Sequence, residues 1–524
     1  MSSSSRLVFG AAAIAAAAFS ISPAAAQEKV LKVVPHADLK VLDPVNVTAA
    51  ITYIHGLMIY DSLMALDASL VPQPQMAQGV EISPDKLTYT FTLRPGLKWH
   101  DGTPVTSADL VPSLKRWMAR APVGQKLSPS IAALEAPNPN TFVIKLKEPY
   151  ALTLYSLGLA GPVFMPQKVA ETDPNTSITS SVGSGPYKFV ASEWRPGAKV
   201  LYEKNKDYVP RSEPASFFSG GKVVKLDKVE WTIIPDSNTA AAALGRGEVD
   251  YWNNPPADFV KILSQNPDIT LHILHPLGFV NFGRVNALLP PFNNVKARQA
   301  LAYAFADQKE FMQAAYGDER WWRTCGSYFV CGAAYGSEAG SEVYKPDIAK
   351  AKQLLAEAGY KGEKIVVINT KEIPVIGALT TVAIPKMREI GLNVEEQMVD
   401  WSTFIGRIQK KDPIDQGGWS FFTTNGTGMT AHHPLTNLGT PMHCDGKNWF
   451  GWPCDEATEK LRVAFLNAPD EPARKAAMEV YHRALMEQQP IVNLGQAASP
   501  EAWRKNVTGM VSTHLPVFWN VTKI

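Results

Sequence analysis

Apolar and polar residues alternate over residues 87–93, and this period of two predicts a half-buried β-strand. A Pro-Gly turn follows, then a second short strand over 97–99 and a second turn at Asp101-Gly102. Thr106 is placed as the N-cap of a helix over 107–119, with an acid in its first turn. The block therefore predicts the order strand, turn, strand, turn, helix.

The rest of the chain alternates in the same way between strand-like and helix-like patterns, which predicts an α/β protein. The predicted strands are 29–34, 141–146, 229–234, 364–369 and 393–399. The predicted helices are 107–119, 238–244, 295–305, 347–358, 376–390, 455–466 and 471–486.

Length and charge narrow the class of protein. A chain of 524 residues exceeds one ordinary core and predicts two or three domains. Its apolar fraction of 45% and charged fraction of 19% are typical of a soluble globular protein. The formal net charge of +2 supplies no electrostatic attraction to nucleic acid or to an anionic membrane.

The first residues have the pattern of an export signal. Arg6 precedes an Ala-rich apolar run over 7–21, and Ala24-Ala25-Ala26 offers a small-residue cleavage site. The run is shorter than the roughly 20 residues that span a hydrocarbon core. No cysteine lies near the cleavage site. We therefore expect residues 1–26 to be a cleaved signal peptide and the mature protein to be periplasmic, without a lipid anchor.

The four cysteines predict disulfides, because an even count in an exported chain favours them. Pairing Cys325 with Cys331 and Cys444 with Cys454 closes two short loops. The second bridge is worth on the order of 3 kcal/mol in the chain-entropy model. The alternative is a metal site on His443, Cys444 and Cys454, although this spacing matches no common zinc pattern.

Six further blocks follow the segments at 80–86 and 87–104, and together they resemble a known family. They are GSGPYKF at 183–189, WRPG at 194–197, NKDY at 205–208, ALGRGEVD at 243–250, NVKARQALAYA at 294–304 and KQLLAEAGY at 352–360. In this order they resemble the family 5 extracellular solute-binding proteins, which serve peptide and nickel ABC importers.

The resemblance implies a two-lobed α/β periplasmic binding protein fold of type II, with an extra subdomain and a hinge between the lobes. It implies a monomer that hands a small-molecule or peptide solute to the permease subunits of an ABC importer. The implied segments are lobe I at 27–60, 183–275 and 495–524, the extra subdomain at 61–182, and lobe II at 276–494.

Motifs of catalysis and cofactor binding are missing from the sequence. It has no His-Glu-x-x-His, phosphate loop, Cys-x-x-Cys or Gly-x-Ser-x-Gly. His432-His433 precedes a proline, and we expect a solvated or hydrogen-bonded pair in a loop rather than an acid–base or metal site. The sequence thus predicts neither an enzyme nor a cofactor.

The predicted ligand site lies on a strand over 418–428. Where peptide-binding members of the family carry an aspartate that neutralises the amino terminus of the ligand, this chain has Thr424 and Asn425. Neutral hydroxyl and amide groups suit neutral partners, so an acetylated peptide should bind almost as well as a free one. The other candidate ligand contacts are Trp419, Phe421, Trp401 and Tyr53.

Two functional classes stay open at this point. The first is a carrier for a peptide or peptide-like solute, with opine-like, glycoside and metal-complex ligands as alternatives. The second is a secreted enzyme on the same scaffold. A carrier binds one solute per protein without turnover, whereas an enzyme releases a product.

Overall fold

The computed structural model describes residues 28–47, 49–159, 161–274 and 277–524, with the side chain of Ser402 left out. The predicted signal peptide at 1–26 lies outside the described residues. Within them, helices and strands alternate, and the α/β class is confirmed.

Several helices begin at residues whose side chains cap them. The backbone N–H of Thr106 donates to the Asp109 carboxylate at 2.8 Å, and Asp470 caps the long helix near the end of the chain. The helices are Ala50–Ile59, Ser107–Arg120, Pro122–Leu127, Thr153–Gly158, Gln167–Ala170, Ser237–Arg246, Ala257–Leu263, Val295–Ala304, Gln308–Tyr316, Ile348–Glu357, Pro374–Glu389, Trp401–Ile408, Gly428–Ala431, Glu456–Leu466 and Glu471–Gln488.

The first sheet is the frame of lobe I. Val30–Val34 runs parallel to its neighbours Lys228–Thr232 and Tyr251–Trp252. Buried side chains such as Leu31 and Trp231 form its core. In spatial order its strands are Ile269–His272, Glu501–Arg504, Tyr251–Trp252, Val30–Val34, Lys228–Thr232, Lys199–Lys204 and Tyr187–Phe189.

The second sheet is the frame of lobe II and has a separate core, which includes Val367, Leu379 and Phe421. In spatial order its strands are Trp322–Arg323, Val492–Ala497, Phe279–Val285, Phe421–Thr427, Lys364–Asn369 and Asn393–Met398. The chain passes between the two sheets after Ile269–His272 and again after Val492–Ala497.

The third sheet forms the extra subdomain, an antiparallel sheet whose strands are Ala77–Ile82, Thr88–Leu93, Thr141–Leu146 and Ile131–Asn138. Phe91, Trp117 and Phe142 are buried in its core. The predicted second strand at 97–99 is reduced to a bridge between Lys98 and Pro104, because proline has no N–H to extend the ladder.

Short strand pairs complete the fold: Met64–Leu66 with Pro72–Pro74, and Val507–Thr508 with Thr522–Lys523. The three main sheets fall into the predicted lobes and subdomain, but Val492–Ala497 crosses the predicted boundary between 494 and 495. The domain boundaries stay a prediction. No helix among the described residues is long and apolar enough to cross a membrane.

Candidate functional site

The strand Phe421–Thr427 carries most of the predicted ligand contacts and lies beside Phe279–Val285. Because successive side chains of a strand point to opposite faces, Thr424 and Asn425 cannot share one surface. Thr424 lies opposite Phe282, and Asn425 lies opposite Asn281. The two neutral groups that the sequence placed together are therefore separated by the sheet.

The face of Asn425 is polar and partly buried. The Tyr316 hydroxyl donates a hydrogen bond to Asn281 Oδ1 at 2.9 Å and also interacts with the Asn425 side chain. Burial raises the pKa of Tyr316 to about 12, so its proton stays in place at neutral pH. Asn425 is thus held in a neutral network.

Trp419 and Phe421 are both 0% exposed and belong to the packed interior of lobe II. Trp419 packs on Phe422 and Trp452, with ring centroids 4.9 and 6.1 Å apart. Phe421 packs against Phe305. These positions favour a structural role, and a ligand contact for either residue stays a prediction.

Trp401 and Tyr53 occupy separate places. Trp401 begins the helix Trp401–Ile408 and stacks on Phe404, with ring centroids 5.2 Å apart. Tyr53 lies on Ala50–Ile59 of lobe I, where burial raises the pKa of its hydroxyl. Trp401 shares the aromatic cluster of Trp419, whereas Tyr53 is on the other lobe.

Lobe II contains a cavity of about 230 Å³ next to this strand, named here the Trp449 cavity. All of the described residues that line it are uncharged. They are Val280, Phe282, Tyr328, Asn425, Gly426, Thr430, Ala431, Asn437, Leu438, Gly439, Trp449 and Ile491. Of the predicted site residues, Asn425 alone lies in this lining.

The loop that carries Trp449 is held from two sides. The structure joins Cys444 to Cys454 around it, with a Cα–Cα distance of 4.8 Å, and Cys325 to Cys331 elsewhere in lobe II. Cys444 and Cys454, the two cysteines of the alternative metal site, are therefore joined in a disulfide. The described residues contain no group of three or more His, Cys, Asp or Glu placed to hold a metal ion.

Arg284 fixes the same loop from inside. Its guanidinium donates to the carbonyl oxygens of Gly439 at 2.8 Å and Trp449 at 3.0 Å, and it lies 5.3 Å from the centre of the Trp449 ring. Burial lowers the pKa of Arg284 to about 9, which leaves it protonated at neutral pH. The cation therefore orients Trp449 through backbone and ring contacts.

The two lobes touch beside the Trp449 cavity. The Tyr155 hydroxyl, on Thr153–Gly158 of the subdomain, lies 2.6 Å from His432 Nε2 of lobe II. The Tyr155 ring stacks on His433, with centroids 4.9 Å apart and an interplanar angle of 22°. Lys126 Nζ of the subdomain donates to the Leu435 carbonyl at 2.5 Å. We call these contacts the cross-lobe contact.

The hydrogen-bond direction at His432 follows from its other nitrogen. Nδ1 lies 2.8 Å from the Met429 carbonyl and must donate to it, so Nε2 accepts from Tyr155 in the neutral ring. Burial lowers the pKa of His432 to about 4 and holds the pKa of His433 well below its ordinary value. The predicted loop pair is thus hydrogen-bonded and buried. The sequence indicated this histidine pair, but no sequence pattern indicated that the pair lies at the contact between the lobes.

The comparisons with known proteins identify the family. The profile of the bacterial extracellular solute-binding proteins, family 5 Middle, matches residues 71–449. The chain therefore belongs to family 5 of the bacterial extracellular solute-binding proteins.

Individual relatives cover nearly the whole chain. It is 38% identical to the probable peptide ABC transporter periplasmic-binding protein y4tO of Sinorhizobium fredii, over 100% of each chain. It is similar to the PBP AgaA in complex with agropinic acid from A. tumefaciens R10, with 25% identity, a TM-score of 0.76 and coverage of 94% and 99%. A dipeptide binding protein from Pseudoalteromonas sp. SM9913, in complex with Met-Leu, has 22% identity, a TM-score of 0.77 and coverage of 95% and 100%. The two-lobed fold is confirmed.

Proposed function

We propose that the protein is the periplasmic substrate-binding component of an ABC importer, and that it captures a peptide or peptide-like solute between its lobes. The observation that carries the capture mechanism is the cross-lobe contact. A hydrogen bond of 2.6 Å and a stacked pair of rings stabilise the state in which the lobes meet. A solute that touches both lobes adds to that stabilisation and shifts the population towards closure.

A peptide is favoured by the full-length relative that is named a probable peptide ABC transporter periplasmic-binding protein. An opine-like solute is the second candidate. It is favoured by the similarity to AgaA with agropinic acid and by the neutral side chain of Asn425, where an acid would hold a free amine. Hydroxyl and amide partners of such a solute suit the amide of Asn425.

The test is to purify the protein from the periplasm, release the bound solute by denaturation and identify it by mass spectrometry. A peptide supports the first candidate, and a sugar–amino acid conjugate supports the second. The identified solute is then titrated into the refolded protein by calorimetry. One-to-one binding without a product supports a carrier, whereas turnover contradicts it.

Matched free and N-acetylated dipeptides test whether the site near Asn425 holds the amino terminus of a peptide by charge. Since no acid has been placed beside Asn425, acetylation should reduce affinity by less than about tenfold, below the 1.5–3 kcal/mol of a hydrogen bond to a charged group. Asn425→Asp should raise the affinity for the free form relative to the acetylated form. If the wild-type protein already binds the acetylated peptide more than about tenfold more weakly than the free one, an acid at another position holds the amino terminus.

A further inference from the structure

We infer that the Trp449 cavity is a specificity pocket that takes one uncharged, apolar or aromatic group of the solute. This inference rests on the proposed function for the statement that the group belongs to a transported solute. The cavity itself is argued from its size, its lining and its position.

Size limits the occupant to one group. The cavity measures about 230 Å³. Sites that enclose a whole drug-sized ligand measure roughly 300–1,000 Å³. A single side chain or ring therefore fits the cavity, while the rest of a larger solute stays in the cleft outside it.

The polar side chains of the lining already have partners, and that of Asn425 interacts with the Tyr316 hydroxyl. The Tyr328 hydroxyl donates to Gln489 Oε1 at 2.7 Å, and Thr430 Oγ1 donates to the Thr427 carbonyl at 2.9 Å. Asn437 uses its amide to bond the Tyr328 carbonyl at 3.2 Å and accepts from the Gly439 N–H at 2.8 Å. These side chains therefore present few free donors or acceptors to an occupant.

The surface that remains is apolar and aromatic. Phe282, Trp449 and Ile491 supply ring faces and branched carbon. A charged occupant would lose its hydration without gaining a partner, because Arg284 already donates to backbone carbonyls and Lys126 donates to the Leu435 carbonyl. A neutral flat or branched group has no such penalty. The lining thus selects against charge.

Position connects the cavity to closure. Ala431 lines the cavity and immediately precedes His432, which bonds Tyr155 of the subdomain. Leu438, at 46% exposure, marks its open side. A group inserted here therefore lies beside the place where the lobes meet, and closure restricts its escape.

The test uses indole and indole-3-carboxylate as probes at pH 7, with affinities measured by ligand-observed NMR. The variant Leu438→Lys places a charge at the exposed rim. Leu288→Lys is its matched control, because Leu288 is 44% exposed and lies outside the lining. Both substitutions are at exposed positions, and thermal unfolding verifies that each variant folds.

Wild-type protein should bind indole at least about tenfold more tightly than its carboxylate. That preference should fall by about fivefold or more in Leu438→Lys and change by less than about twofold in Leu288→Lys. Equal binding of the two probes, no binding of indole, or an unchanged preference in Leu438→Lys overturns the inference.

A second arm separates the cavity from the proposed function. Ala-X-Ala tripeptides with X as Phe, Leu, Asp or Lys are mixed with protein, and the retained peptides are identified after gel filtration. If the peptides with Phe or Leu are retained in preference to those with Asp or Lys, both the peptide assignment and the pocket assignment are supported. If all four tripeptides are retained equally, the pocket assignment is contradicted and the peptide assignment stands. If indole behaves as expected and no tripeptide is retained, the peptide assignment fails and the cavity assignment stands.

Discussion

At the scale of single residues, the protonation state of one imidazole decides how the lobes meet. His432 uses Nδ1 to donate to the Met429 carbonyl, which leaves Nε2 as the acceptor for Tyr155. The same tyrosine ring also stacks on His433, so its hydroxyl and its face serve two neighbouring histidines. Removing the hydroxyl alone therefore isolates the hydrogen bond from the stacking.

Tyr155→Phe should weaken closure, because it removes that bond and leaves His432 Nε2 without its partner. The loss of about 1 kcal/mol corresponds to roughly fivefold weaker solute binding where binding requires the closed state. Calorimetry with the co-purified solute measures it. Tyr335→Phe is the control, since its hydroxyl bonds Glu471 inside lobe II. Equal affinity for wild type and Tyr155→Phe would show that the contact does not support capture.

At the scale of elements, sequence pattern was sufficient where one face is apolar. The strands Thr141–Leu146 and Lys364–Asn369 have the predicted bounds, and most of the other predicted strands and helices lie within two residues of theirs. The exceptions are the strand at 97–99, which is only a bridge, and the strand over 418–428, which begins at Phe421. The strands Phe279–Val285 and Val492–Ala497 were missed, because buried Asn281, Arg284 and Gln496 interrupt the apolar pattern.

The candidate site was less predictable for a related reason. Sequence distance placed Thr424 and Asn425 together, but the pleat of the strand separates them. Trp419 was chosen for its aromatic ring, yet burial of the ring is a tertiary property that no local pattern reveals. The Trp449 cavity is lined by segments far apart in sequence, and Arg284 connects the carbonyls of Gly439 and Trp449 with that of Pro490.

The disulfide loop offers a test at this scale. The double variant Cys444→Ser/Cys454→Ser should lower the free energy of unfolding by about 3 kcal/mol and also weaken solute binding, because the loop positions Trp449. Urea denaturation and calorimetry measure the two effects. Cys325→Ser/Cys331→Ser opens the short loop that carries Tyr328, another residue of the cavity lining, so it should lower stability by a similar amount and also weaken binding. Four free thiols in native protein would contradict both bridges.

At the scale of the whole molecule, buried histidines make stability depend on pH. Burial lowers the pKa to about 3 for His55 and to about 4 for His100 and His432. In the unfolded chain each ring takes a proton below about 6.5. The unfolded state therefore binds more protons between these values, and stability is lost as pH falls from about 6.5 to about 4.

Urea denaturation between pH 7.5 and 4.5 should show this decline, with up to about 1.4 kcal/mol lost per ring and pH unit. Glu501 acts in the opposite direction, because burial raises its pKa and its contribution is present at low pH and lost as pH rises. One carboxyl is outweighed by several rings. His432→Gln should make the decline shallower, and a stability that is flat or rises on acidification would refute the assignment.

Capture requires the two lobes, each with its own core, to close on a solute. Small-angle X-ray scattering of the protein, stripped of solute and then saturated with the co-purified solute, tests this most directly. A smaller radius of gyration in the saturated sample is predicted, because a solute that contacts both lobes favours the closed state in which Tyr155 meets His432. An unchanged radius at saturation would contradict capture by closure.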